Sequence, residues 1–175
     1  MREKKPGFED AHPLRVTPYI RFAQYYETDQ MKIIHHAVYV HWMEEARVDI
    51  MEQIGFGYEK MERMGIFCPV LGVTTEYKSM VRFNERVKIE CRIAEYTGLK
   101  LTIFYRMTNL NTGEVCTYGQ TRHGFLDSEG HILAGGGLCG DLIKCIAVSA
   151  SARSEGLSVP LVSRLISVAS ERGYA

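Results

Sequence analysis

The chain has 175 residues, of which 46% are hydrophobic, and its 21 basic and 21 acidic side chains give a formal net charge of zero. This length allows one domain with a buried core, and the balanced charge argues against a general nucleic-acid binder. No apolar run approaches the roughly 20 residues that cross a bilayer. Five cysteines without C-x-x-C spacing indicate free thiols, so we expect a cytoplasmic protein with no nucleic-acid or membrane partner.

The first third of the chain is predicted to form a leader, a strand and two helices. Residues 1–17 mix charges with proline and glycine and are expected to be a loose leader. Residues 19–26 are rich in aromatic and β-branched side chains and predict a strand. Residues 37–54 space their apolar side chains by three and four, which predicts a long central helix, and a shorter helix follows at 58–64. The apolar face of the central helix consists of Tyr39, Trp42, Met43, Ala46, Ile50 and Ile54.

Four strands are predicted after the helices. They cover residues 68–77, 86–95, 99–110 and 114–126. The middle two alternate apolar and polar side chains, and turn residues separate them from each other and from the last strand, so antiparallel hairpins are expected. One strand, a long helix and then four strands predict an α+β fold in which an antiparallel sheet wraps around one long central helix.

The composition changes near residue 134, where a glycine- and serine-rich segment begins. We therefore assign residues 18–133 to one folded domain. Residues 134–175 are interpreted as a tail that is disordered, carries a short docked helix, or is a non-native extension. Because a sheet around one helix leaves an open edge strand, and edges are commonly joined across a two-fold axis, we expect a homodimer or homotetramer.

An acid lies close to the start of the central helix. Asp29 follows the first strand in a short polar turn. The first amides of a helix have no internal partner and carry partial positive charge, so they can polarise a carbonyl oxygen. A carboxylate opposite them can attack that carbonyl or activate a water. Taken alone, an aspartate here is more often a helix cap or turn residue.

A longer pattern surrounds this acid. From Thr28 to Arg47 the chain reads T-D-x-M-x-x-x-H-H-x-x-Y-x-x-W-x-E-E-A-R. Together with residues 69–77 and 119–127, it resembles the signature of hotdog-fold acyl-CoA thioesterases of the 4-hydroxybenzoyl-CoA thioesterase type. The resemblance covers about residues 16–132 and implies a hotdog fold that hydrolyses an acyl-CoA thioester to a free acid and CoA.

The resemblance also assigns roles to individual positions. The catalytic acid of the family falls on Asp29, which would act as base or nucleophile. The oxyanion donor, a main-chain N–H at the helix start, falls on Tyr39, and His36 falls where the family lines the acyl pocket. Two positions depart from the usual pattern. Lys32 stands where glycine is common, and Val38 stands where a small polar residue is common.

Several polar side chains are candidates for binding the CoA part of the substrate. Lys32, Lys78 and Arg82 are basic and suit the clustered phosphates of CoA. Thr121 and Arg122 in the last strand match the place where the family has groups near the CoA arm. The expected partner is therefore acyl-CoA, with no metal and no cofactor other than the coenzyme A of the substrate.

Other titratable residues have plainer interpretations. The histidines within residues 35–41 lack the i, i+4 spacing that puts two imidazoles on one helical face, so no metal site is expected. Glu44 and Glu45 are alternative catalytic carboxylates, because some related hotdog thioesterases use an acid on the helix. They flank the apolar face, however, and salt bridges with Arg47 or a partner subunit are the favoured role.

Two other functions remain open from the sequence. One is a hotdog dehydratase that acts on hydroxyacyl thioesters, although the histidines do not match its motif. The other is a non-catalytic acyl-CoA sensor that binds the thioester without cleaving it. The acyl group, and the choice between CoA and acyl carrier protein, are not fixed by the sequence.

Overall fold

The structure is a computed structural model that describes residues 7–97 and 99–133. Its helices are α1 (Val38–Gln53) and α2 (Tyr58–Arg63). Its strands are β1 (His12–Pro13), β2 (Tyr19–Phe22), β3 (Val70–Tyr77), β4 (Arg86–Tyr96), β5 (Lys100–Asn109) and β6 (Val115–Gly124). Short 3-10 turns lie at Phe8–Asp10 and Tyr25–Glu27. Among the described residues, no helix is long and apolar enough to span a membrane.

All six strands belong to one antiparallel sheet. Its order is β1-β4-β5-β6-β3, and β2 also pairs with β4. The strands β4, β5 and β6 are consecutive hairpins, as the turn residues predict. The strand β3, which follows the helices, pairs with β6 at the far edge. The predicted α+β arrangement, a sheet around one long helix, is confirmed.

The core lies between α1 and the inner face of the sheet. Trp42, Met43 and Ala46 are fully buried on the predicted apolar face of α1. Opposite them, the sheet contributes side chains that alternate along β4 and β5, such as Ile89 and Met107. This alternation follows from the two-residue repeat of a strand, and it places every second side chain of the long hairpin under the helix.

Helix α1 packs tightly against Gly119 in β6. A Cβ atom built on this glycine would overlap the Sδ atom of Met43. The missing side chain therefore lets Met43 of α1 lie directly against the backbone of β6. A larger residue at position 119 would push Met43 away from the sheet.

The leader expected over residues 1–17 differs from the structure in its described part. Phe8 is buried on the outer face of the sheet, with the guanidinium carbons of Arg92 and Arg106 at 4.4 and 4.6 Å from its ring centre. The short strand β1 pairs with β4. One aromatic residue among charges has no periodicity, so no sequence pattern predicts this packing. The proposed tail at 134–175 lies outside the described residues.

The predicted first strand over residues 19–26 is too long. The strand β2 ends at Phe22, and the chain then enters a 3-10 turn. The Glu27 carboxylate accepts a hydrogen bond from the Gln24 N–H at 2.7 Å. This side-chain contact closes the turn and takes the backbone out of the sheet before it reaches Asp29.

The contact at Gly119 can be tested by adding one methyl group. We expect Gly119→Ala to lower the free energy of unfolding by about 1–3 kcal/mol, because the new Cβ overpacks against Met43. In a Met43→Val background, which lacks the clashing sulfur, the same change should cost less. Urea unfolding of the four proteins gives the coupling energy. Strictly additive costs would contradict the proposed contact.

Candidate active site

Asp29 lies in a tight turn that is closed by a β-bridge between Thr28 and Ile34. The Asp29 N–H donates to the Ile33 carbonyl at 2.9 Å. One carboxylate oxygen, Oδ1, accepts the Met31 N–H at 2.8 Å. The other oxygen has no hydrogen bond to any residue that the structure describes. The carboxylate is therefore oriented by its own turn while one oxygen stays available.

Lys32 occupies the one position of this turn that favours glycine. Its φ angle is +60°, in the left-handed region. A residue with a side chain pays about 1–2 kcal/mol to adopt this conformation. The Lys32 N–H donates to the Asp29 carbonyl at 2.9 Å, so the turn keeps its closing hydrogen bond. The substitution of lysine for the expected glycine thus leaves the turn intact at the cost of local strain.

The N-terminal end of α1 follows this turn directly. Its N-cap residue, Ala37, offers no side-chain acceptor, and the first turn contains no acid. The Val38 N–H donates to the His35 carbonyl at 2.9 Å, and the Val40 N–H donates to Ala37 at 3.1 Å. Within the described chain, the Tyr39 N–H has no recorded acceptor. It is an unoccupied donor at the electropositive end of a buried helix.

Strand β3 contributes a tyrosine beside the helix start. The hydroxyl of Tyr77 donates to the His36 carbonyl at 2.8 Å, and its ring centre is 5.3 Å from that of Tyr39. The imidazole of His36 is exposed and stacks on His35 at 4.1 Å. Nδ1 of His35 in turn accepts the Ala37 N–H at 3.2 Å. The edge strand therefore fixes the backbone of His36 next to the first amides of α1.

The predicted basic residues fall into two neighbouring loops. Lys32 is in the turn of Asp29, and Lys78 and Arg82 are in the loop that follows β3. A hydrogen bond of 2.8 Å from the Ile34 N–H to the Val81 carbonyl joins these loops. All three basic side chains are exposed, and Lys78 also forms an ion pair with Glu76. The structure thus brings these three cations to the same end of the molecule as Asp29.

The side chains of Thr121 and Arg122 lie on opposite faces of the sheet. Thr121 is only 2% exposed and lies under α1, where its hydroxyl contacts the Tyr105 hydroxyl at 2.9 Å and His123 Nε2 at 2.8 Å. Arg122 is exposed on the opposite face, where its guanidinium lies over Gly72 of β3. Successive residues of a strand point to opposite faces, so the two side chains lie in different environments.

A buried polar network surrounds Thr121. Arg47 is buried on α1 and donates through Nε to the Tyr58 hydroxyl at 2.6 Å. His123 is fully buried. Burial, and then the positive charge of Arg47, lower the pKa of His123 to about 4. These groups hold α1 and α2 against β5 and β6, and the imidazole is neutral near neutral pH.

The alternative carboxylates on α1 are engaged in ion pairs. Glu44 forms the predicted pair with Arg47 at 3.4 Å and is 62% exposed. Glu45 accepts a hydrogen bond from the Tyr19 hydroxyl at 3.1 Å and forms an ion pair with Arg21, whose Nε is 3.0 Å from the carboxylate. These contacts agree with a structural role for both residues.

Two residues of this region were missed by the sequence analysis. Tyr77 was predicted only as the end of a strand, and nothing local indicates that its hydroxyl reaches the helix start. Glu27 was not singled out, but its carboxylate is buried and accepts a hydrogen bond from Trp42 Nε1 at 3.0 Å. Its position two residues before Asp29 was the only available signal.

A large cavity among the described residues lies elsewhere. It has a volume of about 570 Å³ and is on the outer face of the sheet, between Phe8, Phe104 and Tyr118. None of the predicted site residues lines it. Over residues 7–97 and 99–133, no group of three or more His, Cys, Asp and Glu side chains is arranged to hold a metal ion.

An antiparallel sheet wrapped around one long helix, with an acid beside the helix start, defines a protein of the hotdog class. The chain belongs to the Thioesterase-like superfamily, whose profile matches residues 24–160. This match includes the turn of Asp29, all of α1 and the strands β3 to β6.

Individual relatives agree with this assignment. The chain is 34% identical over 106 residues to a Bacillus subtilis protein named "Putative acyl-CoA thioesterase YneP", which covers 61% of this chain and 76% of the relative. It is 29% identical over 97 residues to an acyl-CoA thioester hydrolase of Escherichia coli, covering 52% and 72% of the two chains. The crystal structure of a DHNA-CoA thioesterase from Staphylococcus aureus is 33% identical, with a TM-score of 0.62 over 65% of this chain and 75% of that one.

The buried histidine predicts a specific pH dependence of stability. Because the folded-state pKa of His123 is about 4 and the unfolded value is about 6.5, folding favours the neutral imidazole. This contribution is fully present above about pH 6.5 and is lost as the pH falls towards 4. We expect the parent protein to lose roughly 1–3 kcal/mol more than His123→Gln over that range.

Urea unfolding at several pH values between 7 and 4 measures this difference. The matched control is His41→Gln, which changes an exposed histidine on α1 and should follow the parent curve. Parallel curves for the parent and His123→Gln would show that the buried imidazole does not carry the effect.

Proposed function

We propose that this protein is an acyl-CoA thioesterase of the 4-hydroxybenzoyl-CoA thioesterase type, which hydrolyses an acyl-CoA to a free acid and CoA. The observation that carries the proposal is the Asp29 turn, whose hydrogen bonds orient the carboxylate, followed a few residues later by the unoccupied Tyr39 N–H at the start of α1. Membership of the Thioesterase-like superfamily supports it, as do the names of the Bacillus subtilis and Escherichia coli relatives.

The proposed chemistry uses these two groups. Asp29 removes a proton from water as the water oxygen attacks the thioester carbon, or it attacks that carbon itself and water hydrolyses the resulting anhydride. The Tyr39 N–H donates to the oxyanion that develops on the carbonyl oxygen. The carbon–sulfur bond then breaks, and the CoA sulfur takes up a proton. A positioned base contributes about 10² to 10⁴ in rate, and an oxyanion donor about 3–4 kcal/mol.

The remaining site residues are proposed to bind the substrate. His36 is exposed beside the helix start and would line the acyl pocket. Lys32, Lys78 and Arg82 are exposed in two loops that a hydrogen bond joins near Asp29, and they would pair with the CoA phosphates. Thr121 is buried under α1 and Arg122 is exposed on the outer face of the sheet, so of these two candidates Arg122 is the one open to a CoA phosphate.

We propose that the enzyme is a cytoplasmic homodimer or homotetramer. In the described chain, β3 pairs with β6 on one side and is open on the other. Val70, Leu71, Val73 and Tyr77 on this strand are all exposed. Open edges with apolar side chains are normally covered, and pairing with a second copy would cover this one. Among the described residues, Cys68, Cys91 and Cys116 form no disulfide, which suits a reducing compartment.

The catalytic assignment is tested by Asp29→Asn. The amide keeps an oxygen that can accept the Met31 N–H, so the turn and the melting temperature should be preserved. The rate of thiol release from a panel of acyl-CoA esters should fall by about 10² to 10⁴, because the base or nucleophile is lost. The panel, which varies acyl length and includes aromatic acyl groups, also identifies the preferred substrate.

The matched control for this substitution is Glu44→Gln, which neutralises the exposed alternative carboxylate on α1 and should leave the rate within about two-fold. An Asp29→Asn protein that retains the parent rate would refute the assignment. Binding of an acyl-CoA without cleavage by the parent protein would favour the sensor function instead.

The edge strand is tested by Leu71→Lys. Leu71 is 57% exposed in the single chain, so a lysine there should be tolerated by the fold of the subunit. If β3 is buried between copies, the added charge should raise the dimer dissociation constant at least about tenfold, since an unpaired charge in an interface is costly. Light scattering on a size-exclusion column at several concentrations measures this. The control is Leu110→Lys, at an exposed residue after β5.

A further inference from the structure

Glu27 is a buried carboxylate that the proposed mechanism does not use. It is 6% exposed. Its Oε1 accepts hydrogen bonds from Arg21 Nη2 at 2.7 Å and from Trp42 Nε1 at 3.0 Å. Its Oε2 accepts the Gln24 N–H at 2.7 Å. Both oxygens are therefore engaged by donors, one of which is a guanidinium.

These donors belong to three parts of the chain that surround the Glu27 carboxylate. Arg21 is on β2, Gln24 begins the turn towards Asp29, and Trp42 is on α1, three residues after Tyr39. The ring centres of Trp42 and Tyr39 are 5.0 Å apart. The Glu27 carboxylate thus connects the segment that carries Asp29 to the first turns of α1, which carry the proposed oxyanion donor.

The backbone of Glu27 strengthens the same connection. Its carbonyl accepts the His35 N–H at 2.9 Å. The segment between Glu27 and His35 contains the whole turn of Asp29, so this hydrogen bond joins the two ends of the turn. The Glu27 carboxylate also accepts the hydrogen bond from Trp42, which is fully buried and cannot shift without disturbing the core. The turn is therefore connected to the core through Glu27.

The contacts of Glu27 require an acid and not an amide. All three side-chain contacts are made by donors, so an ionised carboxylate can satisfy each of them. A glutamine in the same place would direct its NH₂ group at a donor in either orientation of the amide. A hydrogen bond would be lost, and two donors would repel each other inside the protein.

We propose that Glu27 is a positioning residue for thioester hydrolysis. Its carboxylate sets the distance between the Asp29 carboxylate and the Tyr39 N–H without touching the substrate. This inference rests on the proposed function. Misplacement of a reacting group by about 1 Å can cost about 10²-fold in rate, so a small shift of the turn is sufficient for a large effect on kcat.

The test compares Glu27→Gln with the parent enzyme on the best acyl-CoA of the panel. We expect kcat to fall by about 10- to 100-fold while KM changes less than about three-fold, because the CoA-binding loops keep their own contacts. Circular dichroism and the oligomeric state should match the parent. A smaller folded fraction of the variant would also lower the measured rate. Titration of the active enzyme gives its concentration, and kcat is calculated from that concentration.

A second variant addresses the same contact from the helix. Trp42→Phe removes the Nε1 donor and keeps most of the buried ring, and it should also lower kcat with little change in KM. Because both substitutions break one contact, the double variant should lose less than the product of the two single effects. This variant keeps the test valid if Glu27→Gln fails to fold.

The matched control is Glu45→Gln. Glu45 also binds Arg21, at 3.0 Å, but it contacts neither the Asp29 turn nor Trp42 in the described structure. This variant should keep kcat within about two-fold. Equal losses in the control, multiplicative effects of the two single variants, or an unchanged kcat in both would each overturn the positioning role.

The outcome also separates this inference from the proposed function. If the parent cleaves acyl-CoA, Asp29→Asn does not, and Glu27→Gln retains the parent kcat, then only the positioning role is wrong. If the parent cleaves no acyl-CoA, or Asp29→Asn retains its rate, the proposed function is wrong and the positioning role is wrong with it.

Discussion

The contact between α1 and the inner face of the sheet is the constraint on which the rest of the structure depends. Met43 can lie against β6 because Gly119 has no side chain. Close packing of this kind admits only small displacements, so it fixes both the axis and the start of α1. An unoccupied amide at a helix start is useful in chemistry only when its direction is fixed. The core of this protein therefore supplies the preorganisation that the proposed oxyanion donor requires.

The helix start also receives support from strands that are far from it in sequence. Tyr77, at the end of β3, donates to the His36 carbonyl, and the loop after β3 binds the Asp29 turn through the Val81 carbonyl. The open edge of the sheet therefore lies close to the proposed site. If a second copy pairs along β3, its position acts directly on the residues that hold the helix start. The proposed assembly would then influence the proposed activity without any change in the fold.

Much of the fold could be predicted from the sequence because its long elements have regular patterns. The face of α1 and the alternation of β4 and β5 each repeat over ten or more residues. Phe8 has no such pattern, and its burial depends on two arginines of distant strands. The burial of Glu27 likewise depends on Trp42, fifteen residues later. Pairing across the fold decides these cases, and a local pattern does not contain that information.

The candidate site likewise contains features that the sequence predicts and features that only the fold determines. Asp29 was predicted from the surrounding motif, and hydrogen bonds close its turn although Lys32 stands where glycine is common. Thr121 and Arg122 were predicted because the resembled family has groups near the CoA arm at this place in the last strand. The strand places them on opposite faces, with Thr121 inside a buried network. Adjacency in a strand is evidence against a shared site unless the chain bends there.

The different environments of Glu27 and Asp29 assign different roles to two acids that are only two residues apart. Both oxygens of Glu27 are occupied by donors, and the group is buried. Every recorded contact of the Glu27 carboxylate is with a hydrogen-bond donor, so the group suits a structural role. Asp29 is only half-buried and uses one oxygen to hold its turn. Its free oxygen can meet a substrate or water without loss of any contact, which is the property that a base or nucleophile needs.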